Sequence, residues 1–448
     1  MDWTRRKFIG TTVIGASGIA SAGMVTKSTS DSKIPEISAS VFPWDLADEG
    51  IEKVLDNLQN LAGVNSVYLC NLSEGVRPFR GGEYTHNPVR KSYRCEDSRI
   101  YWPPDMSHYR KIKPLRSQRS FLAETDWVGE FQEAVHRRGM KAGVELFHGY
   151  IDQERLHNFY ADSIQVNIYG KPVLTHNYNR PAACLNSPDF REYAVGLFSD
   201  LAYNYNLDYI QTCMIPFVLP TWFLMQNLPP DPIKWALEAP EKGGCFCDHC
   251  KEEALKTGFN LEETQVELLK LANQKKGPFL QSGMTAKAYL QMNPVLKEWL
   301  DFRCESVNSL YSIINKSTKT FQPGIDIRWN NYVRTHGYYS GIDLPSMMNH
   351  IDSIRANAFV EHMDDLALVD DKVKHLNQFN DLVQNRVHWV AALDIRGDNR
   401  AVLEKSAELS SYTGCNGYAL SHYGGARLEN LEAVKRGLKK SKWAKHFK

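Results

Sequence analysis

Residues 387–440 read VHWVAALDIRGDNRAVLEKSAELSSYTGCNGYALSHYGGARLENLEAVKRGLKK. The stretch opens on an apolar run, 387–394, without strict alternation. A segment of helical period follows at 399–412, then a second apolar run at 416–422 and a second helical segment at 428–440. Apolar runs of this kind are what parallel strands covered by helices require, since both faces are buried. Two strand–helix units in succession therefore set the pattern to look for upstream.

The unit recurs toward the N-terminus. Strands are read at 36–42, 65–72, 140–147, 207–214, 325–331 and 356–361. Helices are read at 50–62, 127–139, 188–206, 293–319, 343–355 and 372–386. Ser187 before Pro188 is a helix start, and Gly139 is a helix stop. Eight such units predict an α/β fold, a (β/α)8 TIM barrel. An open doubly wound sheet is the alternative, but no Gly-rich phosphate fingerprint follows the first strand. Two long insertions, 73–126 after strand 2 and 215–292 after strand 4, are expected on the C-terminal face, where barrels keep their sites.

Composition bounds the function. The chain has 448 residues, 43% of them hydrophobic and 23% charged, enough to build a sizeable core. Lys and Arg number 53 against 52 Asp and Glu. The balance lacks the basic surplus of a nucleic-acid protein. Aromatics at 11% suit sugar rings and a large core alike.

Residues 1–22 read as an export signal. Arg5 and Arg6 precede a mild apolar stretch, Thr11 to Ala20, which ends in a small-x-small cleavage pattern, Ala20-Ser21-Ala22. The stretch is too short to span a bilayer. Paired arginines in this setting predict twin-arginine export, with the export machinery as partner and a bacterial periplasmic or secreted destination. Residues 23–35 are read as a flexible mature N-terminus and 36–448 as the barrel. No later segment has the length of apolar sequence a membrane span needs, so an integral membrane protein is not expected after cleavage. A homo-oligomer stays open.

The strongest chemical motif is Gly243-Gly-Cys-Phe-Cys-Asp-His-Cys250. The spacing of Cys245, Cys247 and Cys250 lets three thiolates converge on one soft ion, such as zinc in a closed structural site. Cys184 and His249 are candidates for the fourth ligand, and a disulfide plus a free thiol is the competing reading.

Cys184 lies in Arg180-Pro-Ala-Ala-Cys-Leu-Asn-Ser-Pro-Asp-Phe-Arg191. This resembles the segment before the third helix of family-42 β-galactosidases. The helix end at His136–Lys141 and the run Gly417–Tyr423 are similar to related glycoside-hydrolase-like barrels. The resemblance implies that Cys184 joins Cys245, Cys247 and Cys250 on zinc. It also implies a glycosidase whose two carboxylates end strands 4 and 7. Asp394 takes the nucleophile position at strand 7, where the family has Glu. Strand 4 ends Gln211-Thr-Cys-Met-Ile-Pro216, without the family's Asn-Glu.

A retaining glycosidase needs its two carboxylates about 5–5.5 Å apart. Glu145, ending strand 3, and Glu361, ending strand 6, are the substitutes for the missing acid. Asp364 and Asp365 are read as loop caps. His148, Trp329, Asn330, Tyr332 and His422 stand at strand ends where a carbohydrate substrate would bind, and Trp44 and Asp45 follow strand 1. Hydrolysis of an oligo- or polysaccharide is the leading expectation. A metal-dependent sugar isomerase or lyase, with Glu145, His148, Glu361 and Asp394 as ligands, is one alternative. A non-catalytic saccharide-binding barrel is the other.

Overall fold

The computed structural model describes residues 34–71, 84–93, 99–146, 160–173, 181–213, 244–273, 286–332 and 341–448. The leader at 1–22, His148 and the fourth-strand run from Met214 onward lie outside them. Eight parallel strands close into a barrel. They are β1 (Glu36–Val41), β2 (Ser66–Asn71), β3 (Lys141–Leu146), β4 (Tyr209–Cys213), β5 (Asp326–Tyr332), β6 (Ser353–Asn357), β7 (His388–Leu393) and β8 (Gly417–Leu420). Neighbours in sequence are neighbours in the sheet, and β8 pairs with β1 to close it. The expected (β/α)8 barrel is thus the fold.

Helices form where apolar residues recur at helical spacing. Helix α1 (Pro43–Glu49) leads into α2 (Ile51–Ala62), which buries Val54, Leu55, Leu58 and Ala62 along one stripe. Asp126 caps α3 (Trp127–Arg137) by accepting from the Gly129 amide at 3.0 Å. Ser187 caps α4 (Pro188–Asn204), as its sequence indicates. The long helix α5 (Pro294–Phe321) precedes β5, α6 (Ala367–Val383) precedes β7, α7 (Arg400–Leu409) precedes β8, and α8 (Leu428–Lys440) follows it. Between β2 and α3 sits a two-stranded sheet pairing Arg99–Ile100 with Leu115–Arg116. No helix among the described residues is long and apolar enough to cross a membrane.

One strand differs from its sequence reading. The sixth is Ser353–Asn357, not 356–361, and the helix expected at 343–355 is a single turn, Leu344–Met347. The cause is polarity. Ser353, Arg355 and Asn357 alternate along β6 and are all buried. They face a polar barrel interior, so the strand is not an apolar run.

That interior is layered. Near the N-terminal end of the barrel, Arg328 of β5 reaches across to Glu36 of β1, with Nη1–Oε1 2.6 Å and Nη2–Oε2 3.2 Å. Arg328 also donates to Ser353 Oγ at 2.8 Å and to Asp326 Oδ2 at 3.2 Å. Its guanidinium lies 4.1 Å over the Tyr209 ring. Burial alone would raise the pKa of Glu36, but Arg328 and His388 outweigh it and hold the carboxyl well below its usual range. Tyr209 fits beside β3 because residue 143 is glycine: a Cβ there would stand 2.3 Å from the Tyr209 ring.

Candidate active site and thiol cluster

The C-terminal mouth is built by registered neighbours. Cys70 of β2, Glu145 of β3 and Gln211 of β4 lie side by side. Gln211 Nε2 donates to Glu145 Oε2. Arg355 Nη1 is 3.7 Å from the same oxygen. The other oxygen, Oε1, receives the Cys70 thiol at 3.8 Å. On the β1–β8 side, Ser40 Oγ is 3.1 Å from His422 Nδ1, and the Cys70 sulfur is 4.0 Å from it. The His422 ring stacks on Phe42, with centroids 4.6 Å apart. Across the mouth, Asn357 Nδ2 donates to Asn330 Oδ1. Glu145, Asn330 and His422 are therefore at the mouth, as read from the sequence. Cys70, Gln211, Arg355, Asn357 and Ser40 join them unforeseen.

Trp329 is not at the mouth. It alternates with Arg328 and Asn330 on β5, so it faces the helix layer, where it is part of the hydrophobic core. It cannot stack on a sugar bound inside. Tyr332 ends β5, and its side chain lies outside the described residues.

Asp394 and Glu361 are placed differently from Glu145. Glu361 does not end a strand; it opens a short 3-10 turn, Glu361–Met363, and is fully buried. Lys372 Nζ donates to its Oε1, while its Oε2 accepts the amides of Val360 and Asp394, both at 3.2 Å. The Lys372 ammonium also donates to Ala392 O at 2.8 Å. No lone pair of Glu361 points at open space, so its contacts are those of a structural ion pair rather than of a sugar-facing acid.

Asp394 follows β7 as expected, but Arg396 chelates it, with Nε–Oδ1 2.7 Å and Nη2–Oδ2 2.8 Å. Ser421 Oγ donates to Oδ1 at 2.9 Å, and His362 Nδ1 is 3.5 Å from Oδ2. Burial pushes this pKa up, but Arg396 and then His362 pull it further down, so Asp394 stays ionised. Asp364 Oδ1 accepts the Asn399 amide and Asp365 Oδ1 the Ala367 amide, so both cap loops.

The four cysteines converge. One sulfur each from Cys184, Cys245, Cys247 and Cys250 lies within 4.8 Å of the others, all buried. Cys184 Sγ is 3.3 Å from Cys247 Sγ and 3.6 Å from Cys250 Sγ. A tetrahedral zinc with Zn–S near 2.3 Å sets sulfurs about 3.8 Å apart, so the cluster matches in scale. The Val166 amide donates to Cys245 Sγ at 3.3 Å and Asn186 Nδ2 to Cys250 Sγ at 3.5 Å, the outer hydrogen bonds that thiolates take. Mutual S–H bonding pulls Cys247 down and pushes Cys184 and Cys250 up. Four cysteine sulfurs this close are the donor set a tetrahedral zinc would take. His249, half-buried on the knot's helix, Asp248–Lys256, is no part of the cluster.

The sequence matches no family model and no curated protein. Solved structures share the fold. The glycoside hydrolase domain of PgaB (BpsB) from Bordetella bronchiseptica superposes with a TM-score of 0.54 at 12% identity, over 87% of this chain and 94% of that one. A catalytic mutant of a GH42 β-galactosidase from G. stearothermophilus gives 0.55 at 14% identity, over 92% of this chain and 57% of that one. The β-galactosidase of Rahnella sp. R3 gives 0.54 at 12%, over 93% and 57%. The chain thus spans a little over half the length of these two β-galactosidases. At such identities the likeness is one of fold.

Proposed function

We propose that this barrel hydrolyses glycosidic bonds of an oligo- or polysaccharide, with Glu145 as the carboxyl group that works on the substrate. The observation that carries this is the partnering of Glu145. Among the described residues its Oε1 has only a thiol contact, at 3.8 Å, while its Oε2 takes the Gln211 amide with Arg355 3.7 Å away. Asp394 and Glu361, by contrast, have their oxygens taken by short ionic and backbone bonds. Gln211, Arg355, Asn330, Asn357 and His422 supply donors and acceptors suited to sugar hydroxyls. The solved glycoside hydrolases of the same fold support the substrate class.

The test is release of reducing ends from a panel of polysaccharides. Glu145→Gln should lower turnover about 100-fold or more, while substrates with good leaving groups stay reactive. Near-normal turnover in that variant would remove Glu145 from the chemistry. Sugar binding without turnover in the unaltered protein would favour the saccharide-binding reading. The isomerase reading loses one of its ligands, because Lys372 neutralises Glu361.

The thiol cluster we assign to one structural zinc held by Cys184, Cys245, Cys247 and Cys250. Elemental analysis should find one zinc per chain, and Cys184→Ser should lower Tm rather than alter the chemistry of the mouth. Protein without zinc, or with a Cys245–Cys250 disulfide, would refute the assignment. Twin-arginine export to the periplasm or beyond is proposed from residues 1–22. Changing Arg5 and Arg6 to Lys should hold the precursor in the cytoplasm; normal export of that variant would refute it.

A further inference from the structure

Charge is balanced over the chain but not spread evenly along it. Residues 435–448 read KRGLKKSKWAKHFK, with seven Lys and Arg and no Asp or Glu, which leaves 46 basic against 52 acidic residues elsewhere. Lys439 and Lys440 close α8, where cations complement the helix dipole. Lys442, Lys445 and Lys448 lie beyond the helix, so the dipole does not account for them.

The stretch is pinned to the barrel. Trp443 packs on Tyr418 of β8 with ring centroids 5.1 Å apart. Phe447 fills the space that Gly63 leaves, since a Cβ there would stand 2.8 Å from its ring. Lys435 Nζ donates to Asn60 O at 2.8 Å and Lys442 Nζ to Cys415 O at 3.3 Å. Gly63 precedes β2 and Cys415 precedes β8, so the stretch sits at the N-terminal end of the barrel, opposite the mouth. Trp443 and Phe447 are buried, while Arg436, Lys439, Lys440, Lys442, Lys445 and Lys448 are exposed. Glu404 takes Arg436 at 2.9 Å and Lys440 at 2.6 Å. No carboxylate of the described residues pairs with Lys435, Lys439, Lys442 or Lys448. The result is an ordered array of cations held by buried aromatic anchors.

We propose that this end of the barrel docks electrostatically on a membrane surface bearing anionic phospholipid headgroups, with the mouth turned away from the bilayer. Charge complementarity carries the choice of partner. Lysines outnumber arginine six to one in the stretch. An ammonium acts as a point charge toward a diffuse anionic surface, whereas recognition of a discrete phosphate favours the guanidinium fork. Each lysine near such a surface strengthens binding about fivefold. Leu438, Trp443 and Phe447 are buried, so the contact stays at the headgroups, and no helix among the described residues is long and apolar enough to cross a membrane. An acidic polysaccharide would meet the same charges, but it would then lie at the end of the barrel remote from Glu145. The docking does not depend on the reaction at the mouth.

Cosedimentation of the full-length protein with vesicles of phosphatidylglycerol and phosphatidylcholine tests this. Binding should be at least tenfold weaker to phosphatidylcholine alone, and should fall at least tenfold between about 0.05 M and about 0.5 M salt. Replacing Lys439, Lys442, Lys445 and Lys448 together by Gln should weaken it by about a hundredfold or more. The leader is the same in both proteins, so it cannot cause that difference. Should this variant fold poorly, Lys439→Gln with Lys448→Gln keeps the Lys442 contacts and should still cost about tenfold or more. Replacing Lys171, Lys256, Lys270 and Lys297 by Gln removes equal charge elsewhere and should leave binding unchanged. Equal binding to phosphatidylcholine vesicles, unaltered binding in the 439–448 variants, or an equal loss in the reference variant would overturn the proposal. Tighter binding of soluble polygalacturonate than of the vesicles, lost in the 439–448 variants, would overturn it in favour of an acidic glycan.

Discussion

Two buried Glu–Arg pairs occupy the same barrel and differ in nearly every respect. Glu36 and Arg328 meet at 2.6 and 3.2 Å, and the guanidinium's other donors are taken by Ser353 and Asp326. Glu145 and Arg355 stand 3.7 Å apart, with Gln211 on the carboxylate as well. The first pair lies toward the N-terminal end of the barrel, the second at the C-terminal mouth. A closed pair neutralises its charges and fixes strands. A loose one leaves a carboxylate and a guanidinium to be reorganised by a ligand. On the proposed function, the contrast keeps stability and chemistry at opposite ends of one tube.

The largest effect should come from Arg328→Met. It strands Glu36 in the interior and should cost about 3–5 kcal/mol in urea unfolding. Arg355→Met should cost less than half as much; equal costs would break the comparison. Next comes Asp394→Asn, which leaves Arg396 with a weaker partner. Its cost should be about 1–3 kcal/mol of stability, with turnover retained by the folded fraction, the reverse of Glu145→Gln. Loss of turnover at normal stability would move the nucleophile to β7, as the sequence suggested.

The smallest effect is in pH. Because the folded pKa of Glu36 is depressed, its stabilisation is fully present above the unfolded value near 4.5. It is lost as the pH falls through the depressed value, with a slope of at most about 1.4 kcal/mol per pH unit. Unfolding free energies between pH 5 and 3 should show this limb in the wild type and a weaker one in Arg328→Met, where His388 stays 3.2 Å from Glu36.

The fold was legible because most strands are apolar runs between amphipathic helices, and β5 keeps Ile327 and Trp329 between its polar residues. The sixth slipped because Ser353, Arg355 and Asn357 face a polar interior. Three members of the thiol cluster were legible from spacing, and Cys184 from the resemblance to family-42 β-galactosidases. The carboxylates at strand ends were findable, but not their partners, which come from distant elements. Lys372 is the instructive case. It sits on the buried stripe of α6 with Val369, Leu376, Phe379 and Val383. A lysine within a helix's apolar stripe asks for a buried acid, a signal the sequence reading did not use. Nothing local pointed to Arg355 as the companion of Glu145, since the two meet only once the barrel has closed.

The Glu36–Arg328 contact joins residues 292 positions apart in the chain. It ties the first strand to the fifth, and so one half of the barrel to the other. A fragment ending after β4 would leave Glu36 with Lys141 at 3.7 Å in place of Arg328, and one beginning at β5 would leave Arg328 to Asp326 and Ser353. Neither half alone holds the bidentate pair. During synthesis that pair forms only once β5 has emerged from the ribosome.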